Sequence, residues 1–111
     1  MYTDQHKFYG YSNKTYNFNI YPIGTSFKPL SGVYIFLKRT VGYAFKTDYK
    51  VIYIGQTENF DNRLDKNHHR YECIMRNNAT HIGILTIKGI NERLNIESDL
   101  ISNYPTPCNQ Q

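Results

Sequence analysis

The sequence predicts an α+β domain whose central sheet, mainly antiparallel or mixed, has three to four strands and is flanked by helices. Three observations predict it. Gly32-Val33-Tyr34-Ile35-Phe36-Leu37 and Val51-Ile52-Tyr53-Ile54-Gly55 are apolar runs of strand length. The stretch between them, residues 38–50, is polar, holds Gly42, Thr47 and Asp48, and reads as a long hairpin connection. Residues 90–104 carry apolar side chains at helical spacing and stop before Pro105. A length of 111 residues suits one domain, and 40% hydrophobic with 15% aromatic content argues against a disordered chain.

Residues 1–15 are polar and tyrosine-rich without apolar periodicity, so they are expected to form an arm, with residues 16–111 as the single domain. From Tyr16 onward, Phe18, Ile20 and Pro22 alternate weakly, which predicts an edge strand limited by Pro22. Residues 24–29 read as a turn. In the first strong strand, period two puts Val33, Ile35 and Leu37 on one face and Tyr34 and Phe36 on the other. Ile52 and Ile54 are expected to pack with Val33 and Ile35, leaving Tyr34 and Tyr53 together on the opposite face.

Thr57 or Asn59 is placed to cap a helix through Arg63 towards Lys66, interrupted at Asn67-His68-His69. Residues 71–76 suggest a short second helix, and residues 79–87, with Ile82, Ile84 and Ile87, a third strand. Pro105 and Pro107 stiffen the tail, which is expected to lie extended against the body.

Charge is uneven along the chain. Residues 1–57 carry seven Lys/Arg against two acids, and residues 58–111 six against seven. The total of +4 permits an anionic partner without requiring one. No run of apolar residues is long enough for a membrane span, and the N-terminus lacks the apolar segment of a secretory signal. Cys73 and Cys108 are too few for a disulfide framework, which favours a reducing, cytoplasmic setting.

The last helix holds an anomaly. On a wheel of about 100° per residue, Ile90, Leu94, Leu100, Ile101 and Tyr104 form one stripe with Glu97 in its middle. A buried carboxylate must be compensated by a cation, a metal or protonation, and Arg93 one turn earlier is the local candidate. Arg63 suits a phosphate through its planar fork, although Asp61 and Asp65 beside it also fit a solvated surface. Tyr34 and Tyr53 fit core rings as readily as reactive phenols. His68, His69, Cys73, His81 and Cys108 lack the paired spacing of a zinc site. Tyr-Ile-Gly-Gln-Thr lacks the lysine of a phosphate loop.

Order and spacing together are more specific. Gly32-Val33-Tyr34 lies on one strand, Tyr53-Ile54-Gly55 on the next, Arg63 ten residues later, Glu97 on a later helix, and Asn109 after Pro105 and Pro107. This series, across about residues 20–110, resembles the GIY-YIG endonuclease family, and most closely its small stand-alone members.

The resemblance implies a phosphodiesterase acting on DNA with one Mg²⁺ or Mn²⁺. Glu97 would be the metal ligand, Arg63 would hold the scissile phosphate, and Tyr34 or Tyr53 would take the proton of the attacking water. Gln56 stands where some members carry a lysine, and Asn67 where others carry a histidine, with His68 and His69 following. Catalytic roles thus fall to Tyr34, Tyr53, Arg63, His68 and Glu97, and substrate contacts to Gln56, His69 and Asn109. Tyr34 is the first choice of general base and His68 the second. The partner the resemblance implies is DNA, single-stranded or structured in preference, and the protein is expected to act as a monomer or homodimer, away from membranes. The tyrosines of the arm, Tyr2, Tyr9, Tyr11 and Tyr16, are candidates for stacking on unpaired bases. The alternative is a nucleic-acid-binding module of the same fold without turnover.

Overall fold

A computed structural model describes residues 2–62 and 64–109, with the backbone alone described at Asn62. It is an α+β fold with a five-stranded sheet: β1 (Asp4–Tyr9), β2 (Thr15–Pro22), β3 (Gly32–Val41), β4 (Thr47–Thr57) and β5 (His81–Thr86). The order across the sheet is β1-β2-β5-β3-β4, and every neighbouring pair is antiparallel. Two helices complete it, α1 (Tyr71–Arg76) and α2 (Ile90–Ile101).

The expected three to four strands become five because the N-terminal arm is a strand. Its outward positions are polar, but Phe8 points inward at 1% exposure, and the His6 ring packs against Phe8 and Tyr49. β1 therefore takes the edge, and β2, expected there, lies between β1 and β5. The connecting turn, with Asn13 at φ 69°, is tied to α2 by Asp99. That carboxylate accepts from Ser12 N at 2.9 Å, Ser12 Oγ at 2.6 Å and Tyr16 Oη at 2.7 Å.

Each sheet face buries its own apolar layer. Phe18, Ile20, Val33, Ile35, Leu37 and Ile54 pack with Ile96 and Leu100 of α2. On the other face Tyr34, Phe36, Ile52, Tyr53, Ile82 and Ile84 pack with Phe60, Leu64 and Ile74. Each fully buried aliphatic side chain contributes about 1.5–3 kcal/mol. Ile52 corrects the simple alternation. Phe36 pairs with Tyr53 but Leu37 with Val51, so a bulge leaves Ile52 on the tyrosine face rather than with Val33.

The helix expected after β4 is reduced to a 3-10 turn, Phe60–Asn62. Side chains here bond nearby backbone: Thr57 Oγ1 accepts from Asn59 N, Asn59 Oδ1 from Asp61 N, and Asp65 Oδ1 from Asn67 N. Such local bonds compete with helical ones. Arg63, expected on that helix, lies outside the described residues.

The buried face of α2 is Arg93, Ile96 and Leu100, while Ile90 and Leu94 are 46% and 43% exposed. That face is turned by roughly 75° from the stripe of the wheel, so Glu97 flanks it, half-buried, instead of lying at its centre. Arg93 is 3% exposed because its guanidinium is satisfied by Gln56 Oε1 and by the carbonyls of Ile87 and Lys88.

Cys73 of α1 and Cys108 of the tail form a disulfide, with Cα atoms 5.7 Å apart, which replaces the expectation drawn from their number and separation. The tail lies along the open edge of β4, where Cys108 N donates to Ile52 O at 3.1 Å. Among the described residues, no helix is long and apolar enough to cross a membrane.

Candidate functional site

Tyr34 and Tyr53 stand on adjacent strands of one sheet face, with ring centroids 6.0 Å apart and planes 25° from parallel. The segment after the 3-10 turn brings His68 between them. Tyr34 Oη and His68 Nε2 are 2.7 Å apart, and the His68 ring meets Tyr53, Phe36 and Tyr34 edge to face. His69 is exposed and stacks on His68 at 4.6 Å. Tyr34 at 2%, His68 at 4% and Tyr53 at 8% exposure make a walled cluster, in which buried polar atoms need partners.

The backbone sets the tautomer of His68. Arg70 N donates to His68 Nδ1 at 3.0 Å, so in the neutral ring the proton sits on Nε2. His68 therefore donates to Tyr34 Oη. The phenol oxygen is the acceptor of this bond.

Two glycines make the arrangement possible. A methyl group at Gly55 would lie 2.5 Å from Tyr34 Oη, 2.6 Å from Tyr34 Cζ and 2.9 Å from Tyr53 Cε1. Only the missing side chain lets the hydroxyl lie over the β4 backbone. Gly32, two residues before Tyr34, lets the Leu85 carbonyl of β5 and the Phe60 ring close in, where a methyl would collide with both.

Glu97 reaches the next residue of β4 from the other layer. The Gln56 backbone N–H donates to its carboxylate, which moderates a rise in pKa caused chiefly by burial. Among the described residues no cation figures in that shift, and Arg93, the expected salt-bridge partner, is engaged elsewhere. Tyr34 packs over Gly55 of β4, and Glu97 stands beside the backbone of Gln56, the next residue. Gly55 and Gln56 lie near the end of β4, the edge strand of the sheet.

Asn109 fixes that edge. Its Oδ1 accepts from Ile54 N and its Nδ2 donates to Ile54 O, both at 2.8 Å, so the side chain mimics a neighbouring strand. Gln56 turns its amide towards Arg93 at 2.9 Å. Asn109 thus holds the backbone of β4, and Gln56 ties β4 to α2. Arg70, not singled out from the sequence, donates from Nε to Cys108 O at 2.7 Å. With the disulfide, it anchors the tail that carries Asn109. A cleft of about 350 Å³ adjoins the cluster through Phe60 and Leu64 and is also lined by Phe27, Asp61, Asp65 and Lys66.

Among the described residues, no group of three or more His, Cys, Asp or Glu side chains is placed to hold a metal by itself. A Mg²⁺-type ion needs less, since one or two carboxylates with water and substrate phosphate suffice. Glu97, desolvated and with no cationic partner among the described residues, has the donor chemistry for that arrangement. No family model, curated protein or solved structure matches the chain.

Proposed function

We propose that the protein is a divalent-metal-dependent endonuclease of the GIY-YIG type that hydrolyses DNA phosphodiester bonds. The observation that supports this best is the cluster of Tyr34, Tyr53 and His68 over Gly55, with Glu97 beside the backbone of the next residue, Gln56. A histidine buried among tyrosines and a desolvated carboxylate are groups of the kind that functional sites concentrate.

In this reading Tyr34 takes the proton of the attacking water. His68, donating from Nε2, fixes the direction of that oxygen. His68 is then a positioning residue for the base, because its Nδ1 is occupied by Arg70 N and its Nε2 carries the proton. Tyr53 walls the ring of His68 from the other side. Glu97, held by Gln56 N–H, would bind Mg²⁺ or Mn²⁺, which when bound supplies positive charge to the scissile phosphate and the leaving oxygen. Arg63 is assigned the phosphate by the resemblance alone. One such site cuts one strand, so double-strand cleavage would need a second copy. A cytoplasmic setting belongs to the same reading, and there the Cys73–Cys108 bridge would depend on the local redox state.

A second reading, a binding module without turnover, is favoured by the low exposure of Tyr34, which leaves its hydroxyl little contact with solvent. Labelled single-stranded, flapped and duplex oligonucleotides of DNA and RNA, incubated with Mg²⁺, Mn²⁺ or chelator, separate the two. The nuclease reading expects metal-dependent cuts in DNA. Binding of the same oligonucleotides with no cut under any condition supports the module.

A further inference from the structure

Beyond the site, β3 and β4 continue as a hairpin whose tip is the 3-10 turn Tyr43–Phe45. Tyr43 is 97% exposed and Phe45 90%, the two most exposed large apolar side chains described. Water does not favour such an arrangement, and the backbone does not relax to remove it. Ala44 and Phe45 both sit at φ 60°, in the left-handed region that side chains with a Cβ rarely adopt. The strained turn holds both rings outward.

The stem is basic. Residues 38–50 carry Lys38, Arg39, Lys46 and Lys50 against Asp48 alone, three of the chain's four net positive charges. Lys38 and Lys50 pair directly across the two strands. Like charges so placed repel and weaken the ladder. Period two carries Lys38 onto the face of Tyr34 and Phe36, so the lysine pair lies on the way from the tyrosine cluster to the tip. From Tyr53 to Phe45 the strand spans about 25 Å, or roughly seven base pairs at 3.4 Å each.

We propose that this hairpin is a nucleic-acid-engaging arm: Lys38 and Lys50 contact the phosphate backbone, and Tyr43 and Phe45 stack on unpaired bases. The substrate class of the proposed nuclease is then DNA with a single-stranded segment about 25 Å from the cut. That last statement rests on the nuclease reading, whereas the arm itself does not. An extended polyanion suits a basic track that runs along one face to aromatic rings. An anionic membrane would meet only the tip.

The test measures fluorescence anisotropy of labelled 30-nucleotide single-stranded DNA (about 30, long enough to span arm and site) in chelator, where no cleavage intervenes. Wild type is compared with Tyr43→Ala/Phe45→Ala and with Lys38→Gln/Lys50→Gln. The ring variant should lose about tenfold or more in affinity. The lysine variant should flatten the dependence of log K on log salt by about 1.4. Circular dichroism of both variants should match wild type, since the tip rings have no packing to lose. Unchanged affinity in the ring variant overturns the proposal, as does a wild type that fails to bind. So does ring-dependent binding to phosphatidylserine vesicles with oligonucleotide affinity unaffected. Ring-dependent binding by a wild type that never cuts leaves the arm standing and removes the nuclease reading.

Discussion

Tyr34 Oη lies 2.7 Å from His68 Nε2, and the direction of that bond is set by a third residue, Arg70, whose backbone N–H occupies the other ring nitrogen. The histidine is thereby a donor to the tyrosine. In the proposed nuclease, proton acceptance from water would fall to the phenol, with the imidazole holding it in place.

Tyr34→Phe removes the acceptor and leaves His68 Nε2–H buried without its partner. The variant should remain folded but lose about 1–3 kcal/mol of stability. Metal-dependent cleavage should fall by about 10²-fold or more. Thermal melts and single-turnover cleavage read the two effects separately. A loss of activity under about threefold would remove Tyr34 from the base role.

Gly55→Ala introduces a methyl group 2.5 Å from Tyr34 Oη, against the backbone-held ring pair. Overpacking of this kind costs about 1–3 kcal/mol. Gly42→Ala is the control. Its φ of −95° suits any residue, and a methyl there would meet nothing closer than 3.8 Å. Urea melts should separate the two variants clearly, with Gly42→Ala within about 0.5 kcal/mol of wild type.

The N-terminal hairpin depends on pH through Asp99. Hydrogen bonds from Ser12 and Tyr16 hold its carboxyl below the ordinary 3.8. A carboxyl depressed in the folded state adds stability above its unfolded pKa, and that stability is lost as pH falls through the folded value. Asp99→Asn should therefore unfold more readily than wild type near neutrality. The difference should close once both pKa values are passed on the acid side. A gap that persists unchanged into strong acid would mean that the pairing of β1 and β2 does not depend on this charge.

Reduction of the Cys73–Cys108 bridge should cost about 2–4 kcal/mol, the usual range for closing a loop of this length. It should also loosen the tail, and with it the clamp of Asn109 on Ile54. Hydrogen exchange at Ile54 N–H, compared with and without reductant, checks this. Equal protection in both states would show that Asn109 holds without the bridge.

Much of the site was legible in sequence because it depends on period two. Gly32, Tyr34, Tyr53 and Gly55 sit on strands whose apolar runs are unambiguous, and alternation alone brings the two rings to one face. The rest depends on features that a local pattern does not carry. β1 shows a single apolar inward position, Phe8, so its alternation was hidden among polar residues. The bulge at Ile52 comes from the pairing of β3 with β4 and leaves no mark in either strand alone. Arg93 counted as polar on the helical wheel, yet carbonyls and Gln56 drew it into the buried face and moved Glu97 to the flank. The disulfide joins two segments that meet only after the tail has crossed to the edge of β4.

The claim that matters most is that the Glu97 carboxylate and the Tyr34 phenol serve one phosphate across the edge of β4. The most direct measurement is the nicking rate of wild type and Glu97→Gln on the same labelled DNA, in Mn²⁺ and in chelator. The account predicts cutting by wild type that stops in chelator, and a loss of about 10²-fold or more in Glu97→Gln with its fold intact. Equal cutting by Glu97→Gln, or cutting by wild type that chelator leaves untouched, would contradict it.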